Sequence, residues 1–87
     1  MDIQRLRNLT TGRLHTDMQH IYEDMEWLTG TKGLYTHELP AVLHKLIPYL
    51  KAKIDNPRFW DGKHDTTHIG EFAISPMSKT EKVIYHL

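Results

Sequence analysis

The sequence contains no cysteine, and this absence removes three kinds of site at once. Without a thiol, the chain forms no disulfide and no thiolate zinc site, and it has no cysteine nucleophile. Its 87 residues suffice for a single small domain, residues 1–87, with a thin hydrophobic core. Small domains without a disulfide or a metal often gain stability from association. The length therefore favours a homo-oligomer.

Long apolar runs and a net charge are also lacking. No stretch approaches the ~20 apolar residues that a membrane-spanning helix needs, and no apolar segment follows the charged N-terminus. The 11 basic and 11 acidic residues cancel, whereas a dedicated nucleic-acid-binding protein usually carries a basic excess. We therefore expect a soluble, cytoplasmic protein that binds neither membranes nor nucleic acid.

The zero net charge is made of blocks of opposite sign. Residues 1–13 carry a net charge of +2, and residues 31–63 carry a net charge of +3. Residues 14–30 hold four acidic residues and no lysine or arginine, and residues 64–87 carry a net charge of −1. This distribution argues against a general polyanion binder and is compatible with a specific protein partner.

A helical repeat of apolar residues marks the second segment of the chain. Five residues recur at intervals of four, three, four and three, which is the period of a helix that packs on one side. They are Leu14, Met18, Ile21, Met25 and Leu28. Gly30 follows at the position of a left-handed C-terminal cap. The pattern predicts an amphipathic helix whose acidic residues lie on the opposite face.

Capping residues and a proline predict two further helices. Asp2 is a good N-cap for a first helix, and Thr36 is a good N-cap for a third. Pro48 falls inside the apolar pattern of the third helix. A proline there predicts either a kink or a split into helices 36–47 and 48–54.

Residues 55–75 have the composition of a long irregular connection, which Phe59 and Trp60 are expected to pin to the helices. Beyond it, Ser78 and Glu81 have the capping-box spacing of a short C-terminal helix. The predicted fold is therefore mainly α: a small single-domain bundle of three to four helices.

The acidic face of the second helix is the first candidate site. Trp27 lies one position off the apolar repeat, so it is expected to be partly exposed beside the acidic residues, where aromatic side chains often anchor contacts. An acidic surface also speeds encounter with a basic groove. The alternative is that this face is simply solvated. The candidate partner-binding residues are Asp17, Glu23, Asp24, Glu26 and Trp27.

Four cations form a second candidate site, for a phosphate-bearing ligand. They are Arg5, Arg7, Arg13 and Lys32. Guanidinium and ammonium groups bind phosphate through charge-assisted hydrogen bonds. On this hypothesis the chain is an oligomeric sponge that sequesters a signalling nucleotide between its subunits. The alternative is that the cations are solvated and balance neighbouring acidic residues.

Seven histidines suggest a third candidate, a metal-dependent enzyme. His20 and Asp24 have the spacing of two ligands on one helix face, whereas His64 and His68 lie in a segment that resembles a loop. A metal site needs three or four converging ligands, so these are weak candidates. The chain contains no G-x-S-x-G, phosphate-loop or H-E-x-x-H motif. We expect no metal, no cofactor and no enzymatic activity.

Four stretches of the chain resemble short uncharacterised proteins encoded by tailed bacteriophages. They are residues 9–16 (LTTGRLHT), 20–24 (HIYED), 34–40 (LYTHELP) and 58–62 (RFWDG). The resemblance extends over roughly residues 1–70 and includes no catalytic motif. It implies an accessory or host-takeover protein in the cytoplasm of a bacterial host cell. Such proteins inhibit a host enzyme, block a defence system or sequester a signalling nucleotide.

These features favour a non-enzymatic protein that binds and inhibits a bacterial host component or an anti-phage defence component. The small size, the absent catalytic motifs, the separated charges and the aromatic residues all point to binding. The nucleotide sponge and the metal-dependent enzyme remain the two alternatives.

Overall fold

Four α-helices make up most of the regular structure in the computed structural model, which describes every residue from Met1 to Leu87. The helices are α1 (Ile3–Thr11), α2 (Met18–Thr29), α3 (Leu39–Lys53) and α4 (Lys79–Ile84). Short 3-10 turns at Thr36–Glu38 and Pro57–Phe59 flank α3. The chain has no β-strand, and the predicted mainly α fold with three to four helices is confirmed.

Three helix ends follow the predicted capping signals, whereas Thr36, the predicted N-cap of the third helix, begins a 3-10 turn and α3 starts after Glu38 without a side-chain capping bond. The Asp2 carboxylate accepts a hydrogen bond from the Arg5 N–H at 3.0 Å, and so caps α1. Gly30 ends α2 with φ at 71°, a left-handed conformation that glycine adopts without a steric penalty. Ser78 and Glu81 form the predicted capping box at the start of α4. These three predictions are confirmed.

Helix α2 begins later than the apolar repeat predicts. Leu14 lies outside the helix and is 52% exposed, and Met18 at its first position is 42% exposed. The Asn8 side-chain oxygen Oδ1 accepts hydrogen bonds from the backbone N–H groups of His15 and Thr16, at 2.7 and 3.2 Å. These bonds hold the chain in a turn before α2. The predicted five-residue seam is therefore wrong in its first half.

Helix α3 continues through Pro48 without a break, so of the two predicted outcomes, a kink or a split, the split is excluded. A proline in this position removes the N–H that would bond to the carbonyl of His44. Both residues are exposed, so the interruption lies on the solvent-facing side of the helix. The buried side of α3 keeps its packing, because Leu46, Tyr49 and Leu50 all lie in the core.

All three longer helices contribute to a single hydrophobic core. It consists of 11 buried residues. They are Leu6, Leu9, Met25, Leu28, Leu39, Leu46, Tyr49, Leu50, Ile54, Phe59 and Met77. The last three come from the segments after α3, so the core closes only when those segments pack against the helices.

The long connection between α3 and α4 is irregular, as predicted, and α1 holds it in place. Phe59 is buried, with its ring edge-on to Phe72, and the Trp60 indole donates to the carbonyl of Ile54 at 3.0 Å. The N–H of Ile3 donates to the carbonyl of Gly70 at 2.9 Å. The predicted anchoring by Phe59 and Trp60 is confirmed. None of the helices has the length and apolar content needed to cross a bilayer.

Replacing Leu46 by alanine tests the core. Its side chain is fully buried, so the variant loses the transfer free energy of the removed carbon atoms and leaves a cavity in their place. We expect the free energy of unfolding to fall by about 2–5 kcal/mol in urea denaturation. The same substitution at the exposed Leu14 is the matched control, with an expected change below about 0.5 kcal/mol. Equal losses at the two positions would contradict this core.

Candidate functional site

An open cleft of about 440 Å³ lies where the start of α1 meets α2 and the bridge residue Glu71. Most of its lining is charged. The lining residues are Met1, Asp2, Arg5, Glu23, Asp24, Trp27 and Glu71. They come from three separate parts of the chain, so the cleft is formed by the tertiary structure.

The floor of the cleft is an ion pair between α1 and α2. Arg5 donates from Nε and Nη2 to the two carboxylate oxygens of Asp24, at 3.0 and 2.7 Å. Its Nη2 also donates to Glu23 at 3.0 Å. The hydrogen bonds with Asp24 raise the pKa of the Arg5 guanidinium. The Asp24 side chain is only 8% exposed, so this two-point contact satisfies a carboxylate that would otherwise be buried alone.

Glu71 and Asp2 form the opposite side of the cleft. The two residues make an isolated antiparallel bridge, which brings Glu71 from the far end of the chain to the start of α1. The Met1 amino group lies 3.3 Å from the Glu71 carboxylate and donates to the Phe72 carbonyl at 2.9 Å. The Glu71 side chain remains largely exposed, so its carboxylate stays accessible.

Trp27 is the aromatic member of the cleft and is 46% exposed. It lies one helical turn after Glu23 on α2, so the two side chains share a face. With four carboxylates against Arg5 and the Met1 amino group, the lining has a net charge of −2 at neutral pH. An indole face beside carboxylates is suited to a planar guanidinium or an ammonium group, through cation–π and ionic contacts.

The predicted acidic face is only partly brought together. Glu23, Asp24 and Trp27 lie in the cleft, whereas Asp17 and Glu26 do not. Asp17 is exposed at the N-cap of α2 and makes no side-chain capping bond. Glu26 accepts hydrogen bonds from the N–H groups of Gly33 and Leu34, at 2.7 and 3.2 Å, and so orders the loop after α2. The cleft therefore contains three of the five predicted partner-binding residues.

The four predicted phosphate ligands do not form a site. Arg5 is occupied by Asp24 and Glu23, and Arg7 is fully buried. The Arg7 guanidinium donates to the backbone carbonyls of Lys63 and Asp65. Of the four cations, only Arg13 and Lys32 are exposed, and the other two are engaged within the fold.

The candidate metal ligands are likewise dispersed, and no group of three or more histidine and acidic residues could hold a metal ion. His20 bonds to the Thr16 hydroxyl at 2.8 Å, and Asp24 is held by Arg5. His64 stacks on the ring of His15, and His68 is buried beside Phe59. The structure therefore assigns these side chains to packing and hydrogen bonding.

Four residues of the cleft lie outside the predicted acidic face: Met1, Asp2, Arg5 and Glu71. Asp2 was recognised only as a helix cap, and Arg5 only as a possible phosphate ligand. The opposite charges of residues 1–13 and 14–30 were a signal for the contact between Arg5 and Asp24. No local pattern marks Glu71, because it reaches the cleft only through its bridge with Asp2.

Replacing Asp24 by asparagine tests the floor of the cleft. The amide keeps the side-chain size but removes the charge that faces Arg5 and one of its two acceptor oxygens. We expect the free energy of unfolding at pH 7 to fall by about 1–3 kcal/mol in urea denaturation. Asp17→Asn is the matched control, and we expect a change below about 0.5 kcal/mol because Asp17 is exposed. An unchanged stability in Asp24→Asn would contradict the structural role of this ion pair.

Comparison with known proteins gives a family but no activity. A family model described as a domain of unknown function (DUF7736) matches residues 1–61. The match includes α1, α2, α3 and the contact between Arg5 and Asp24, and it ends before Glu71. No curated protein and no solved structure matches the chain. Because the match spans more than half of its length, the chain belongs to the DUF7736 family of domains of unknown function.

Proposed function

We propose that this protein is a non-enzymatic inhibitor that binds a basic surface of another protein through the cleft between α1 and α2. The observation that carries the proposal is the combination of a net charge of −2 with an exposed indole in one concave surface. Carboxylates attract a basic partner and orient it during encounter. A partly exposed tryptophan supplies apolar area at its centre.

A lysine or arginine side chain of the partner is the group that fits this surface best. Its charged end pairs with Glu23 and Glu71, whose carboxylates are both accessible. Its aliphatic part or its guanidinium plane lies against Trp27. Asp24 contributes mainly by holding Arg5, since its own side chain is largely buried.

The proposed target is a component of a bacterial host cell or of an anti-phage defence system. This part rests on the resemblance of residues 9–16, 20–24, 34–40 and 58–62 to tailed-phage proteins. A phage protein of this kind acts in the cytoplasm of the host. Inhibition by binding also suits a chain of this size, because it requires a surface and no enclosed catalytic pocket.

Affinity capture from a bacterial lysate with variants of the cleft tests the proposal. The test variants are Trp27→Ala, Glu23→Lys and Glu71→Lys. Loss of a tryptophan anchor typically costs about 2 kcal/mol or more, which corresponds to about thirtyfold in Kd. We expect one protein to be retained by the wild type and lost by each variant, with retention also falling as salt rises.

Asp55→Lys is the matched control for the two charge reversals, because Asp55 is exposed and lies outside the cleft. It should retain the same protein as the wild type. The purified partner is then assayed for its own activity with and without the inhibitor. A partner that binds all variants equally contradicts the assignment of the surface, and a bound partner with unchanged activity contradicts inhibition.

A further inference from the structure

Histidine rings attach residues 61–69, which we call the histidine loop, to the turn after α1 and to Phe59. His15 stacks on His64 with ring centroids 5.0 Å apart and an interplanar angle of 15°. His68 is 5% exposed, and its ring lies edge-on to Phe59 at 4.6 Å. The loop is thus held by two histidine contacts from opposite ends.

His15 and His68 each bury a ring nitrogen that has no hydrogen-bond partner. In both cases the atom is Nδ1. A neutral imidazole has one N–H donor, whereas the protonated ring has two. Protonation at these buried atoms therefore creates a donor without an acceptor, which costs more than leaving an acceptor unpaired in a neutral ring.

A buried positive charge lies in the same region. Arg7 is fully buried and donates to the carbonyls of Lys63 and Asp65 in the histidine loop. Gln4, one turn earlier on α1, donates to the carbonyls of Asp65 and His68 at 3.0 and 2.6 Å. A proton on His15 or His68 adds a second positive charge to a region that already holds the Arg7 guanidinium.

Charged groups of both signs face the two rings. They are Arg7, Arg13 and His64 around His15, and Arg7, Arg58, Asp61 and Asp65 around His68. The two acids already have partners. Asp65 pairs with Arg58 at 2.7 Å and accepts from Thr67, and Asp61 lies 3.6 Å from Arg7 and accepts from the Lys63 N–H. They therefore only partly offset the repulsion on protonation.

We propose that the histidine loop is a pH-sensitive latch, which protonation of His15 and His68 releases from α1 while α2 and α3 stay folded. The loop carries few core residues, and its attachment consists mainly of the bonds from Arg7 and Gln4 and the packing of the histidines. Helices α2 and α3 pack through the apolar core instead. Local opening is therefore less costly than global unfolding.

The sign of the pH dependence follows from burial. Burial lowers the pKa of His15 and of His68 in the folded protein, and Arg7 lowers both further. The open or unfolded chain therefore binds these protons more tightly. The stability that the closed loop gains from its neutral histidines is complete above the usual pKa of about 6.5 and falls as the pH drops below it.

Opening of the histidine loop also affects the edge of the cleft. The carbonyl of Gly70, directly after the loop, accepts from the Ile3 N–H, and Glu71 follows at the cleft edge. An open loop loosens this attachment, which is one of several that hold Glu71 at the cleft edge. The latch itself does not depend on the proposed function, since it is measured in the isolated protein.

Hydrogen exchange of the isolated protein at pH 7.5 and pH 5.5 tests the latch, after correction for the intrinsic pH dependence of exchange. We expect peptides that cover residues 61–72 to lose protection at the lower pH, because the open loop binds protons more tightly than the closed one. Peptides from α3 should keep their protection. Unchanged protection of the loop, or equal loss in α3, would overturn the proposal.

The double variant His15→Phe, His68→Phe retains two aromatic rings and removes both titrations. Its loop should be equally protected at the two pH values. His44→Gln, at an exposed position of α3, is the control and should behave like the wild type. If the double variant does not fold, NMR titration of the wild type decides: the ring protons of His15 and His68 must titrate together with loop opening. Titration at a different pH contradicts the latch.

Discussion

The burial of the Arg7 guanidinium is the interaction on which much of the tertiary structure depends. Backbone carbonyls in an irregular segment have no partners of their own, and each needs a donor when it is buried. Arg7 supplies donors to two carbonyls of the histidine loop, and Gln4 supplies donors from the same face of α1. Helix α1 therefore supplies hydrogen-bond donors to the carbonyls of residues 61–69, as a neighbouring strand does in a sheet.

The ordering of this segment positions the residues that follow it. Phe59 enters the core beside His68, and the chain then returns to the start of α1, where Glu71 pairs with Asp2. The cleft and the histidine contacts are thus two consequences of one packing arrangement. The buried Arg7 guanidinium holds the histidine loop, and the accessible carboxylates of the cleft face solvent.

The balance of charge has a structural explanation as well. Arg5 on α1 faces Asp24 and Glu23 on α2, so part of the acidic block is neutralised within the fold. Glu26 is also engaged, by two backbone N–H groups. The acidic character that remains accessible is smaller than the block of residues 14–30 indicates, and it is concentrated beside Trp27.

Features encoded by neighbouring residues were predicted correctly. The caps at Asp2, Gly30 and Ser78 depend on bonds within one turn, which local sequence can specify, although Asp17 at the N-cap of α2 makes no side-chain capping bond. Periodicity was less reliable. It extended the second helix to Leu14, because spacing does not reveal that Asn8 holds the preceding turn.

The sequence by itself determined the helical class, most helix ends and the long irregular connection, because these depend on local propensity and capping. Only the tertiary structure decided what each charged residue does. Residues of the same type differ in what they contact. Internal contacts hold Arg5, Arg7 and Asp24, whereas Arg13 and Asp17 are exposed. Those roles depend on contacts between residues distant in the chain, which no local spacing specifies.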